Sequence, residues 1–207
     1  MKTVCFDLGG VLLEILHELD DRLALCDGPK RGLSIPEEVR PALLELNVEY
    51  QRGTYAWLET RARLVAHTRE YGFSAEDWDL IEEGIIVGPK PDAEEVIRYC
   101  EDRGYRLGIL SNTCELHVSQ FESFDFLRAF PEERRIYSHR EKIYKPEPEA
   151  YRRFEGLTAT GPESIVFFDD TPVNVEAARS LGWTAFHVPR GQPVLPVFVE
   201  ALETISR

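Results

Sequence analysis

The residues whose type and position invite chemistry are three aspartates, one lysine and a Ser-Asn pair. Asp7 follows the apolar run Thr3–Phe6 and precedes Gly9-Gly10. Ser111-Asn112 follow the run Arg106–Leu110, and Asp169-Asp170 follow Ile165–Phe168. One polar residue after an apolar strand is a weak signal. Three such strand ends, far apart in sequence, are a strong one, because open α/β sheets bind ligands beyond the carboxyl ends of their strands. Packed together, Asp7, Asp169 and Asp170 repel one another. A divalent cation relieves that repulsion, and hard oxygen ligands with few protein donors suit Mg²⁺. The plainer account of Asp169-Asp170 is a cap on a helix beginning at Thr171-Pro172; the presence of Asp7 weighs toward the metal. Lys145 lies just before a helix start in Ile143-Tyr144-Lys145-Pro146-Glu147-Pro148-Glu149, where the helix dipole disfavours a cation. It is a solvated surface lysine, or else a charge that balances a nucleophilic carboxylate and a transferring anion. The Gly9-Gly10 turn leaves backbone N–H groups facing an anion.

These residues need a scaffold that brings strand ends together. The runs Thr3–Phe6, Arg106–Leu110, Ile165–Phe168 and Thr184–Val188 read as buried strands, with Arg135–Tyr137 a weaker fifth. Helical patterns lie between them, over Ala93–Arg103, Glu147–Phe154 and Val173–Leu181. Strands alternating with helices predict a parallel sheet covered on both faces, an α/β, Rossmann-like core. Residues from about 15 to 87 carry helical periodicity and no convincing strand. Ser34 with Pro36 predicts a helix start, Gly53-Thr54 an interruption, Ser74 with Glu76-Asp77 a further cap, and Gly88–Pro91 a sharp break. The expected organisation is an α/β core over 1–14 and 88–207, with a helical cap inserted over 15–87. Neither repeats nor low-complexity tracts interrupt it.

Composition limits the partners. The 207 residues suit one domain, or one domain with an insert. With 37 acidic against 24 basic residues the net charge is -13. That surface repels nucleic-acid backbones and anionic membranes. An anionic small substrate therefore needs a locally positive site, supplied by a metal or a placed lysine. Cys5, Cys26, Cys100 and Cys114 form no C-x-x-C pair and point to a reducing compartment. The N-terminus lacks a signal-peptide pattern and no apolar run is long enough to span a membrane, so the expected location is the cytoplasm. His67, His117, His139 and His187 are read as single core or surface residues, none paired at metal-ligand spacing. Trp57 and Trp78 are read as helix-packing core.

Four segments in order resemble the haloacid dehalogenase-like superfamily. They are Phe6-Asp7-Leu8-Gly9-Gly10-Val11-Leu12, Leu110-Ser111-Asn112-Thr113, Lys145-Pro146-Glu147-Pro148, and Phe168-Asp169-Asp170-Thr171-Pro172-Val173-Asn174. Each is weak alone; the ordered set is specific and covers essentially the whole chain. The insert after the first segment looks like that family's small helical cap. The resemblance implies that Asp7 attacks phosphorus and forms an aspartyl-phosphate that water hydrolyses. It implies that Ser111, assisted by Asn112, binds phosphoryl oxygens, and that Lys145 steadies Asp7 and the phosphoryl charge. Mg²⁺ would be held by Asp7, the Gly9 carbonyl, Asp169 and Asp170, with Asn174 orienting the last loop. The cap would close over a small phosphorylated substrate and select it.

The chain departs from the resemblance at Gly9, where phosphatases of the family usually carry a second Asp that protonates the leaving group. Losing a general acid–base costs about 10²–10⁴ in rate. Glu14 and His17 are the nearest titratable replacements. Otherwise the substrate carries a good leaving group, or the chain is a catalytically weak binding module. A subset of the family is similar to this chain in having Asp-x-Gly-Gly, and some of its members are sugar-phosphate phosphatases. A 2-haloacid dehalogenase-type hydrolase uses the same nucleophile without metal or second acid. Against it, dehalogenases of the family lack the acidic pair and place an aromatic and a Thr after the nucleophile, where this chain has Gly9 to Val11. A phosphomutase depends on the absent acid.

Overall fold

Alternate residues of Thr3–Phe6 serve opposite faces of a sheet. Val4 and Phe6 join one buried cluster and Cys5 another. The same alternation separates Val166 and Phe168 from Ile165 and Phe167. A strand apolar on both sides must be central, and it is. In the computed structural model, which describes residues 2–27 and 31–205, the strands are β1 (Thr3–Phe6), β2 (Leu13–Ile15), β3 (Ile86–Pro89), β4 (Arg106–Ser111), β5 (Arg135–Tyr137), β6 (Ile165–Asp169) and β7 (Thr184–His187). A five-stranded sheet has the order β5-β4-β1-β6-β7, and every pairing in it is parallel. Met1, residues 28–30 and residues 206–207, with the parts of the sequence reading that fall on them, lie outside the described residues.

The helices are α1 (Leu19–Leu23), α2 (Arg40–Gln51), α3 (Trp57–Thr68), α4 (Ala75–Glu83), α5 (Ala93–Asp102), α6 (Glu115–Phe121), α7 (Ser138–Glu141), α8 (Pro148–Thr158), α9 (Pro172–Ser180) and α10 (Val194–Ile205). Side chains of α5, α6 and α10 cover one face of the sheet, through Val96, Ile97, Phe121 and Phe198. Side chains of α8 and α9 cover the other, through Tyr151, Phe154 and Val175. Phe6, Phe154, Phe167 and Phe198 are all fully buried, and each such burial contributes about 2 kcal/mol. The result is an α/β, Rossmann-like core whose carboxyl edge is rigidly held.

Helices α1 to α4 have a small core of their own, including Leu23, Leu43, Leu64, Trp78 and Ile81. They lie between β2 and β3, which pair antiparallel as a two-stranded ribbon. That ribbon, at the two ends of the segment, corrects the expectation of no strand over about 15–87 and of a plain break at Gly88–Pro91. Its strands are three and four residues long, too short to show periodicity, and each exists by pairing with residues some seventy positions away. The helix expected at Ser34-Pro36 starts instead at Arg40, with Pro41 in its first turn. Pro36–Val39 form a turn closed by Val39 N–H donating to the Pro36 carbonyl at 3.0 Å, while Ile35 anchors the loop in the helical core. Ser74 does cap α4, in a reciprocal capping box with Asp77. α6 and α10 had no counterpart in the sequence reading.

Several contacts fasten the helical segment to the sheet core, three of them around α7 and the loop after it. Arg52 makes a bidentate pair with Glu147, both bonds 2.7 Å. The Ser138 hydroxyl meets the Gln51 carbonyl at 2.6 Å. Lys142 donates to the Gly53 carbonyl. Among the described residues no helix is long and apolar enough to cross a membrane, and all four cysteines are free and buried.

Candidate active site

β1 and β6 are neighbours, so their ends bring Asp7 beside Asp169-Asp170. Ligand oxygens of the three acids lie within 4.8 Å of one another, and all three residues are buried. Asp7 is fixed from the main chain, where its N–H donates to the Phe168 carbonyl at 2.9 Å. Lys145, only 1% exposed, reaches in from the loop before α8. Its Nζ donates to Asp169 Oδ2 at 2.6 Å and stands 3.1 Å from Asp7 Oδ1. The surface-lysine reading is therefore excluded.

Asp169 is fully engaged. Its Oδ1 accepts from the Thr171 N–H at 2.8 Å, and Asn174 Nδ2 stands 3.1 Å from each oxygen. It ties the last loop to Lys145 rather than capping α9, whose N-cap is Thr171. Asp170 lies on the opposite side. Its Oδ2 accepts from Arg190 Nε at 3.0 Å and stands 3.7 Å from His17 Nδ1. Arg190 was not singled out from sequence. Its place just beyond β7, at the same edge as the other strand ends, was the available signal.

Ser111 and Asn112 end β4 beside the first loop. Ser111 is buried and lines a cavity of about 70 Å³ together with Leu8, Gly9, Asn112 and Arg22. Asn112 spends its amide on the main chain of Lys145, accepting from its N–H and donating to its carbonyl, both at 2.9 Å. The lysine is thus held at both ends. The loop after Asn112 is pinned by Ser138, which accepts from Thr113 N–H at 2.9 Å. His139 belongs to this scaffold, contacting the Thr113 carbonyl and Glu115. It does not reach the acids.

Gly9 and Gly10 have separate reasons. Gly10 has φ +73°, and a Cβ there would come within 2.7 Å of Asp170 Cγ. Both the backbone and the neighbour require glycine. At Gly9 the space of a side chain is taken by Ile15, whose Cδ1 lies 2.9 Å from where a Cβ would stand. An apolar methyl occupies the position where a second acid would begin. Of the two candidate replacements, Glu14 is exposed, and His17 stands by Asp170, with its pKa lowered by burial and by Arg190.

The electrostatics leave a deficit. Three carboxylates face two cations, Lys145 and Arg190, so one negative charge is in excess. Burial, with Asp169 and Asp170 adding to it against Lys145, raises the Asp7 pKa to about 7. Burial acts to lower the Lys145 pKa, but Asp169 and Asp7 outweigh it and raise it overall. Asp7 Oδ1 is buried without a hydrogen bond of good geometry. A carboxylate oxygen without a well-aligned hydrogen bond, among hard oxygen donors and with negative charge to spare, is what a small divalent cation fits.

An open parallel sheet carries a buried Asp–Lys–Asp cluster at its carboxyl edge, the place where such sheets bind their ligands. The haloacid dehalogenase-like hydrolase family matches residues 1–182, and the chain belongs to that family. It is 26% identical to haloacetate dehalogenase H-2 of Moraxella sp. (strain B), over 92% of this chain and 86% of that protein. It is 26% identical to the phosphorylated carbohydrates phosphatase of Thermotoga maritima, over 88% and 82%. A HAD family enzyme of Bacteroides thetaiotaomicron superposes with a TM-score of 0.77 at 21% identity, covering 96% of this chain and 98% of that one. That enzyme is also known in complex with magnesium and inorganic phosphate. At such identities the structural likeness establishes the fold.

Proposed function

We propose that this hydrolase is a Mg²⁺-dependent phosphatase acting on a small phosphorylated metabolite, with Asp7 as nucleophile. The observation that carries the reading is the excess negative charge of the Asp7–Asp169–Asp170 cluster around an Asp7 oxygen that only the Lys145 ammonium approaches, without a well-aligned hydrogen bond. Asp7, the Gly9 carbonyl, Asp169 and Asp170 would hold the ion, with Asp170 the less encumbered of the pair. The ion supplies electrostatic stabilisation of the phosphoryl oxygens. The kinship with a carbohydrate phosphatase and with an enzyme that binds magnesium and phosphate supports this reading.

The chain's own residues do the rest. Asp7 attacks phosphorus and forms an aspartyl-phosphate, which water then cleaves at phosphorus. Lys145, clamped by Asn112 and Asp169, holds its charge beside Asp7 and meets the charge developing on the phosphoryl group. Ser111 donates to a phosphoryl oxygen in the small cavity it lines. The helical segment 15–87 acts as the cap that shelters the site from water. Because residue 9 is a glycine, with the end of the Ile15 side chain lying where an acid would begin, the leaving group receives little protonation. Acyl and aryl phosphates are therefore the expected substrate class.

A dehalogenase reading draws on two observations. Arg190 already neutralises Asp170, and Gly9 lacks the acid that a halide leaving group does not need. Kinship with a haloacetate dehalogenase agrees with it. A panel of acyl, aryl and sugar phosphates with Mg²⁺, run beside 2-halo acids, separates the two. Phosphate release that disappears on adding EDTA is the expected result. Halide release that survives EDTA overturns the phosphatase.

A further inference from the structure

A second group of metal-ligating side chains lies away from the aspartates, at the seam between α4 and α6. Glu82, near the end of α4, meets Cys114 and His117, which are the N-cap and third residue of α6. Residues three apart on a helix share a face, so Cys114-Glu-Leu-His117 presents a thiol and an imidazole together. The two side chains and Glu82 are all buried, and one donor atom from each lies within 4.8 Å of the others. This spacing corrects the reading that His117 has no partner at ligand distance. The signal was Cys114-x-x-His117, read only as isolated residues because their third partner is distant in sequence.

We propose that Glu82, Cys114 and His117 form a metal site for a borderline divalent cation of the zinc type, joining the helical segment to the sheet core. The donor set of one sulfur, one nitrogen and one carboxylate oxygen is that of tetrahedral zinc, and unlike the all-oxygen set at Asp7. The distances agree as well. Bonds of about 2.3 Å to sulfur and about 2.05 Å to nitrogen and oxygen give tetrahedral edges of about 3.5 Å for S···O and about 3.3 Å for N···O. The structure has Cys114 Sγ to Glu82 Oε1 at 3.7 Å and His117 Nε2 to Glu82 Oε1 at 3.2 Å.

An independent observation comes from Tyr50 on α2. Its side chain is 4% exposed, and its hydroxyl is buried beside Cys114, Glu82 and the Leu116 backbone without a well-aligned hydrogen bond to any of them. A buried hydroxyl left unpaired is costly. Water as the fourth ligand would pair it. Room for that water exists on the Tyr50 and Glu82 side, where both line a cavity of about 450 Å³. Binding displaces the thiol proton of Cys114 to solvent, and His117 binds neutral through Nε2. Without metal, the thiol rests on the Glu82 carboxylate, the imidazole Nε2 lies between that carboxylate and the Glu82 main-chain carbonyl, and the Tyr50 hydroxyl lacks a well-aligned partner.

Cobalt(II) is a suitable probe, because only a thiolate ligand produces sulfur-to-cobalt charge-transfer absorption. The full chain is stripped with chelator, dialysed, and titrated with Co²⁺. The expected result is a thiolate band that saturates at one equivalent of the tight site and is displaced by Zn²⁺. Cobalt bound at Asp7, Asp169 and Asp170 has oxygen ligands only and adds no such band. Cys114→Ser abolishes the band, and Tyr50→Phe weakens affinity about tenfold. Zn²⁺ raises the melting temperature of the wild type and not of Cys114→Ser. Absence of a thiolate band in the wild type at saturating Co²⁺ overturns the site, as does a band unchanged in Cys114→Ser. The wild-type titration decides even if a variant fails to fold.

Discussion

At the scale of single residues, the site rests on how few cations serve its acids. Lys145 is the only cation within contact of both Asp7 and Asp169 among the described residues. Removing one partner of a buried pair costs about 3–5 kcal/mol, so Lys145→Met is expected to lose stability on that scale in denaturant titrations. The loss has a sign in pH. With Lys145 gone the acids relieve their repulsion by taking up protons, so the penalty is largest above about pH 7, where Asp7 in the wild type is ionised, and shrinks in acid. Gly9 offers a second prediction. Gly9→Asp alone drives its Cβ into the Ile15 terminus, whereas Gly9→Asp with Ile15→Ala has room for an acid. The double variant is expected to gain at least about tenfold in kcat on an alkyl phosphate over the single one, toward the range a general acid provides. Equal rates in the two variants would show that Ile15 is not the obstacle. Asp7, Ser111, Lys145 and Asp169-Asp170 were legible because each adjoins a strand end or helix start, a local pattern. Ile15, Arg190 and the Cys114–His117–Glu82 group were not, because tertiary pairing brings each to its partner. Asn112 was read as a substrate group, yet its amide secures Lys145; sequence named the residue and not its direction.

At the scale of elements, legibility followed length. β1, β4 and β6 are continuous apolar runs between helices, and sequence placed them within a residue. The β2–β3 ribbon escaped because its short strands draw stability from each other, and the Ser34 start failed because tertiary anchoring of Ile35 overrode a good capping signal. The Ser74–Asp77 box at α4 is the opposite case, a local signal that tertiary structure reinforces through Arg31. Burial acts to raise the Asp77 pKa, but hydrogen bonds from Ser74 and Arg31 lower it overall. A depressed carboxylate pKa stabilises above its unfolded value and loses that contribution as pH falls through the folded one. Asp77→Ala is expected to cost about 1 kcal/mol near neutral pH and progressively less below about pH 4. A cost independent of pH would remove the electrostatic part of this account. The Arg52–Glu147 bridge works differently. Partly exposed pairs contribute about 0.2–1 kcal/mol, so Arg52→Ala should barely change stability. As a clasp between the helical segment and the loop that carries Lys145, it is expected to raise KM several-fold with the melting temperature little changed.

At the scale of the molecule, the parallel sheet gathers the candidate site at one edge, and under the proposed function the helical segment would govern what reaches it. The net charge of -13 repels anions, so under the proposed phosphatase activity attraction would have to be local, supplied by Lys145, Arg190 and a cation held by the three acids. Chelation of that cation is expected to abolish phosphate release while leaving the fold intact, since Lys145 and the Asn174 amide still hold Asp169. Whether Asp7 works as argued is tested most directly by a single turnover of an aryl phosphate in ¹⁸O-labelled water, followed by the mass of the released phosphate and of the peptide containing Asp7. Water that cleaves an aspartyl-phosphate at phosphorus places the label in phosphate and leaves Asp7 unlabelled, which is the predicted result. Label appearing in Asp7 would mean that water attacks the carboxyl carbon rather than phosphorus, and labelled phosphate released at an undiminished rate by Asp7→Asn would mean that water attacks the substrate directly; either result would contradict the account.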